Sequence, residues 1–476
     1  MTDRLVLGVD LGVSGARAAV MDGRARIVAS GARFAVPTRS SFGRAEQAPS
    51  AWIEAVAAAM ADALAAAPGA AIGAIGVSAL GPAPVLVDDA LAAVAPALLF
   101  SQDTRAEAQR RALCIQLGLR DDELNHDHAI PKLEWWRECD PERFERASLV
   151  MDATGFIVAQ LTGEPTMDTI TACDYALPGV SCPLPLPPVR DAYSVAGGLT
   201  PAWAARIGLS PGVPVMAGTY DAYADTAAIG ATHLGDGCVI FGSTLIIGAI
   251  LERAPADMFG MVAAPHLGEG VMVGGWTATG GSALGWARRL LGAPDEFEDA
   301  LETAAGALPA GAGGLLFLPY LTGERSPVHD PDARGVVLGL SVDTRPEHLY
   351  RAVIDGVALS VRDHAERLRA LGVAPALWRG GGGGARNATL VRATSDAIQE
   401  PLEIAADAGA PIGPCRIALR GLGIDPPVTI VAVVEPDPAA AERVDRLYAI
   451  YRSLYVPLAG SMHDLTDLNN STGGGR

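Results

Sequence analysis

Lysine is all but missing from this chain. Of the 36 basic residues among 476, only Lys132 is a lysine and the rest are arginine. That removes the P-loop GK[ST], the protein-kinase lysine and nearly every Schiff-base mechanism, so a bound nucleoside triphosphate would have to be held by backbone amides, arginine and metal. No apolar run reaches the ~18 residues that a membrane helix needs, and no charged leader precedes an apolar segment, so the expectation is a cytoplasmic protein with no membrane partner. The six cysteines, Cys114, Cys139, Cys173, Cys182, Cys238 and Cys415, contain no CxxC pair and read as reduced core residues. Net positive charge is absent as well, and −18 at neutral pH speaks against nucleic acid as a partner.

What is present is glycine at turning points. The apolar runs Leu5–Val9 and Ala16–Met21 flank the elbow Gly12-Val13-Ser14-Gly15, and Asp22-Gly23 reads as a hairpin turn into a third strand. The elbow thus joins two strands, and its free N–H groups form a nest suited to an anion such as phosphate. Asp10, two residues earlier, would repel phosphate unless a divalent cation lay between them, and carboxylates with phosphate oxygens are ligands that magnesium prefers. An ordinary β-meander with a buried or capping aspartate accounts for the same residues. With 50% hydrophobic and 19% charged residues the balance is globular, and the length suffices for two or three domains.

Further along, Ser50 reads as the N-cap of a helix to about Ala67, with Trp52, Val56 and Met60 on one face. Gly81-Pro82-Ala83 follows a strand at its carboxyl end, where α/β folds bind ligands. Asp103 and Arg105 lie at another strand end, where they either hydrogen-bond a polyol or form a structural ion pair. His126 and His128 have no further clustered ligand to complete a metal site. Asp221 falls where a strand has ended at Ala217-Gly218 and a helix begins, as a plain cap or as a carboxylate placed to take a proton. Gly242-Ser243-Thr244 repeats the strand, elbow, strand pattern, which suggests two related halves, each with one phosphate hairpin. A long helix is predicted from about Pro346 to Leu371, in which Ala352 and Gly356 admit a neighbouring backbone. Five glycines, Gly380 to Gly384, precede Asn387 at a helix start and require something flat or large against them. After Met462 the chain is expected to be disordered.

These motifs resemble the FGGY carbohydrate kinases of the actin-like ATPase superfamily, especially the xylulokinase-like branch. The resemblance rests on Gly8-Val9-Asp10-Leu11-Gly12-Val13-Ser14-Gly15, Glu46-Gln47, Ser101 through Ala106, Ala217-Gly218 through Asp221, Phe241 through Thr244, Leu318 through Pro327, and Gly382 through Asn387, in family order over about residues 4 to 455. It implies an α/β fold of two RNase H-like (actin-like ATPase) domains with a central cleft: 1–228 with the sugar site and first phosphate hairpin, 229–460 with the nucleotide, and 461–476 a disordered tail. It also implies transfer of the γ-phosphate of ATP, with Mg2+, to a hydroxyl of a ketose or polyol, a xylulose-like pentulose first among them. Carried over position by position, Asp221 is the catalytic base beside the sugar, and Asp10 holds magnesium through water. Gly12, Val13, Ser14 and Gly15 with Arg17 correspond to the first phosphate hairpin, and Gly242, Ser243 and Thr244 to the second. Gly281, Gly383, Gly384 and Asn387 fall at the nucleoside, and Gly81, Pro82 and Asp103 at the sugar. Two departures stand out: Val13 replaces the family's threonine and its hydroxyl, and Gly81-Pro82-Ala83 replaces Met-His-Gly and its histidine.

Two other classes fit parts of the sequence. A non-catalytic or regulatory actin-like ATP-binding protein would bind nucleotide without sugar-dependent ADP release. A dinucleotide-dependent dehydrogenase would need a helix from about Gly15. A homodimer is left open.

Overall fold

The computed structural model describes residues 4–34, 36–41, 43–100, 102–119, 124–293, 300–406 and 411–472, without the side chains of 469–472. The chain forms two units. The first comprises Met1–Gly230, Pro265–Gly268 and Gly409–Thr429, and the second Ala231–Ala264, Glu269–Ala408 and Ile430–Arg476. A single division after residue 228 therefore does not describe the chain, because a segment from beyond residue 408 returns to the first unit.

In the first unit, β1 (Leu5–Gly12), β2 (Gly15–Asp22) and β3 (Ile27–Arg33) form an antiparallel meander. The Asp22 side chain accepts from the amides of Arg24 and Arg26, which closes the second turn as the Asp-Gly pair predicts. Because Gly15 begins a strand, the helix that a dinucleotide fold requires is not there. The helix α1 (Pro49–Ala65) buries Trp52, Val56 and Met60 completely. It starts at Pro49 rather than after a Ser50 cap, since proline lacks the N–H that a first-turn residue leaves unpaired anyway. The strand β4 (Ile72–Ala79) runs parallel to β1, and β5 (Pro214–Met216) and β6 (Thr219–Tyr220) run parallel to β4. Helix α2 (Asp221–Ile229) follows β6 directly.

The returning segment supplies the helix Ile412–Gly421, which lies on β1 and β4. Two glycines make room for it. A Cβ at Gly8 would sit 2.5 Å from the Cys415 nitrogen, and one at Gly76 would overlap the Pro414 carbonyl oxygen.

The second unit opens the same way. Strands β7 (Asp236–Phe241), β8 (Leu245–Leu251) and β9 (Val271–Trp276) are antiparallel, while β10 (Leu377–Gly381) runs parallel to β7 and β11 (Leu402–Ala405) parallel to β10. Helix α3 (Gly281–Leu290) follows β9, and α4 (Pro346–Ala370) matches the predicted long helix. A Cβ at Gly356 would overlap the Phe317 carbonyl oxygen, so the neighbouring backbone expected at that glycine is the strand Leu316–Leu318. The expected disordered tail is corrected in part. The helix Ala441–Thr472 runs through it, with Met462 buried, Thr466 Oγ1 donating to Asp332 O and His463 on Asp330, while 473–476 lie outside the described residues. Among the described residues no helix is long and apolar enough to cross a membrane, and all six cysteines are free.

Candidate active site

In the first unit the parallel register sets Asp10 of β1 beside Ser78 of β4, and Ser78 beside Thr219 of β6. Asp221 comes two residues after Thr219, as the first residue of α2, so acids from two strand ends share one edge of the sheet. Ser78 Oγ donates to Asp10 Oδ1 at 2.6 Å, and the Ala222 amide donates to Asp221 Oδ1 at 2.8 Å. Burial pushes the Asp10 carboxyl up to about 6, against the Ser78 hydrogen bond and the charge of Arg17. Burial, and after it the negative charge of Asp10, pushes Asp221 up to about 7. Asp225, one turn along α2, is raised well above its ordinary range by burial and by the charges of Asp221 and Asp10. The site is thus short of positive charge before any ligand enters.

The first hairpin turns through Val13 and Ser14, with Gly12 paired to Gly15. Gln47 Nε2 donates to Val13 O at 2.7 Å and the Val36 amide reaches Ser14 O, so the turn is held by its carbonyls. Among the described residues no acceptor meets the N–H of Val13 or Ser14. Arg17 faces Asp10 across the β1–β2 pair, exposed, with its guanidinium over the Phe34 ring. Gly81 packs against Tyr220, where a Cβ would come 2.8 Å from the tyrosine Cβ, and its peptide to Pro82 is cis.

Asp103 is fully buried, its carboxylate accepting from Arg105 Nε and Nη2 and from the Ala45 amide. Arg105 also pairs with Glu46 at 2.9 Å. Of the two readings of Asp103 the geometry shows the ion pair.

In the second unit Gly242, Ser243 and Thr244 turn between β7 and β8. The start of α3 is fastened to this turn, with the amides of Gly280 and Ser282 donating to Ser243 O and that of Gly281 to Gly242 O. The N–H groups of Ser243 and Thr244 meet no acceptor among the described residues. The glycine run at the end of β10 has its neighbour in Phe241: Cβ atoms at Gly380, Gly382 and Gly384 would each come within about 3 Å of Phe241 atoms, and Gly382 also has a φ of +91°. Gly383 lies between them in the same turn. Asn387 is buried and caps α5 (Ala388–Ile398): its Oδ1 accepts from the Leu390 amide at 2.7 Å, and its Nδ2 donates to Glu302 at 2.8 Å. Its side chain is thus committed within the protein, at the end of the glycine turn.

Ser78 and Asp225 were missed by sequence reasoning. The i, i+4 spacing of Asp221 and Asp225 on a helix start was the available signal for the second, whereas a serine inside an apolar strand gives none. Among the described residues no group of three or more His, Cys, Asp or Glu is arranged to hold a metal. Magnesium needs no such cage, since it keeps several waters and takes one or two carboxylates with phosphate oxygens, and the Asp10 carboxylate is a donor of that kind.

The N-terminal domain model of the FGGY family of carbohydrate kinases matches residues 5–182, and its C-terminal domain model matches residues 238–420. The chain is 26% identical to a xylulose kinase of Lactococcus lactis over 98% of its own length and 99% of the relative's. Among solved structures it is similar to a xylulose kinase from Rhodospirillum rubrum, with TM-score 0.85, 29% identity and coverage of 97% of this chain and 100% of that one. A kinase from Brucella ovis described as a xyloylose kinase gives TM-score 0.86 at 26% identity, covering 96% and 100%. The fold is the two-domain actin-like ATPase fold, each domain RNase H-like, and the chain is a carbohydrate kinase that belongs to the FGGY family.

Proposed function

We propose that this kinase transfers the γ-phosphoryl group of ATP, with magnesium, to a hydroxyl of a ketose or polyol, and that a xylulose-like pentulose is its first candidate acceptor. The observation that carries the reading is the pair Asp10 and Asp221, set by β1 and β6, which both pair with β4, with the charge of the first raising the proton affinity of the second. Phosphoryl transfer asks mainly for in-line positioning and charge neutralisation, with one base for the acceptor proton.

Asp221 is that base. Its carboxylate takes the proton from the acceptor hydroxyl as the oxygen attacks phosphorus, and a pKa near neutrality suits a group that must be deprotonated yet basic. Asp10, with Ser78 holding one of its oxygens, is the residue for magnesium, which when bound supplies neutralisation of phosphate charge. The open N–H groups of Val13 and Ser14, and those of Ser243 and Thr244, are donors for phosphate oxygens, and Arg17 adds exposed positive charge in a chain whose only lysine is buried. Gly12 and Gly15 close the first hairpin and Gly242 the second. Gly281, Gly383 and Gly384, fixed by Asn387, serve the nucleoside, and Gly81 with Pro82 borders the sugar. The relatives' names favour xylulose. Gly81-Pro82-Ala83 offers the acceptor no histidine, so hexuloses and smaller polyols belong in the same panel.

The test is a coupled assay of ADP release against a panel of ketoses and polyols, with and without Mg2+. Release that depends on both sugar and magnesium is expected. Nucleotide binding without sugar-dependent release would overturn the reading.

A further inference from the structure

Beside Asp221 the first unit carries a second group of acids that the transfer chemistry does not use. Asp152, immediately before the helix Ala153–Thr162, is 1% exposed. Its Oδ1 accepts from the Ala83 amide at 2.7 Å and from the Tyr175 hydroxyl at 3.0 Å. Its Oδ2 is buried with no hydrogen-bond partner among the described residues, and lies against the bare α-carbon of Gly81, 3.1 Å from where a Cβ would stand. Asp174, in the turn Thr171–Tyr175, also has a buried Oδ2 without a partner.

A buried carboxylate oxygen with no donor forfeits the hydrogen bonds that it had in water. Two such oxygens in one neighbourhood point to donors that come from outside the protein. The cation closest in charge does not supply them, because Lys132 Nζ is turned to the carbonyl oxygens of Leu99 and Phe100. Burial first, and then neighbouring carboxylates, raise the proton affinity of both acids, and the charge of Asp152 is felt in turn at Asp221.

We infer that Asp152 and Asp174 form the recognition wall for the phosphoryl acceptor, which is an uncharged polyhydroxy compound that donates its hydroxyls to the two unpaired carboxylate oxygens. The inference rests on the kinase reading and narrows it. An acceptor that places its own carboxylate there brings no donor to either oxygen and meets the charge that the two acids carry when deprotonated, and among the described residues no cation hydrogen-bonds either of them, so sugar acids are disfavoured. Asp152 and Asp174 are specificity residues, and Asp221 remains the base.

The experiment uses the full chain. Without ATP, the melting temperature is measured with D-xylulose, D-fructose and xylitol, and with D-gluconate at the same concentrations. At least one neutral compound is expected to raise it, and gluconate is not. In steady-state assays Asp174→Asn, of similar shape, is expected to raise KM for that neutral acceptor about ten- to a hundredfold with KM for ATP unchanged, as loss of a charged hydrogen-bond acceptor implies. Asp152→Asn is expected to do the same and to narrow the preference over gluconate. Stabilisation of the parent by gluconate as strong as by the neutral sugars would overturn the inference, and this arm needs no variant to fold. Unchanged acceptor KM in a folded Asp174→Asn would overturn it as well, since water alone then satisfies the oxygens. If no sugar supports ADP release the kinase reading itself falls, whereas release with acceptor KM untouched in the variants removes only the wall.

Discussion

In the proposed transfer Asp221 is the base, and its environment makes the expected behaviour specific. Asp221→Asn keeps the size of the side chain and removes the base, so kcat should fall by about 10²- to 10⁴-fold while ATP binding, read by titration calorimetry, stays near the parent's. Retention of most of the turnover would take Asp221 out of that role. The base works only when deprotonated, and its pKa is raised to about 7, so kcat/KM should climb with pH up to about 7 and level off above it. Asp10 is the second cause of the rise after burial, so in the metal-free protein Asp10→Asn should lower the pH at which Asp221 titrates, read by NMR, without returning it to the ordinary carboxylate range. A midpoint near 4 in the parent would show that neither cause operates. Asp221 was legible in the sequence because it ends a strand and begins a helix. Asp103 was legible only as an alternative, since a buried ion pair and a polyol ligand call for the same two residue types. Ser78 was not legible at all, because what makes it matter is its register against Asp10, 68 residues earlier.

At the scale of elements, the glycine hairpins were readable because turn chemistry is local, and the Asp-Gly turn by itself argues for a hairpin after Gly15. The glycine run of 380–384 was readable as a close approach, but not as an approach to Phe241, which is distant in sequence. Asn387 shows the same limit: its place at a helix start is visible, but its bond to Glu302, 85 residues away, is not. Asn387→Ala removes the cap and leaves the Leu390 amide unpaired inside the protein. A loss of about 1–2 kcal/mol is expected in urea unfolding, together with a raised KM for ATP, because Gly383 and Gly384 lie in the turn that it steadies. Full stability in this variant would mean that the cap contributes nothing.

For the whole molecule, the informative feature is the return of 409–429 to the first unit, which no local pattern in the sequence announces. Composition and motif order fixed the class of fold, but where a distant helix docks depends on which sheet face has been cleared of side chains, as at Gly8 and Gly76. A fragment ending at Gly230 leaves that face uncovered. It is expected to be insoluble, or to lack a cooperative melting transition, whereas co-expression with a fragment carrying 231–476 should restore soluble protein. Cooperative melting of the short fragment alone would show the returning helix to be dispensable. During translation the consequence is one of timing. The first sheet leaves the ribosome with an apolar face open, and its cover follows only after most of the second unit has been made, on the order of tens of seconds later at ordinary elongation rates. Premature termination or a slow stretch of codons before residue 412 would therefore prolong the period in which this sheet can stick to another nascent copy.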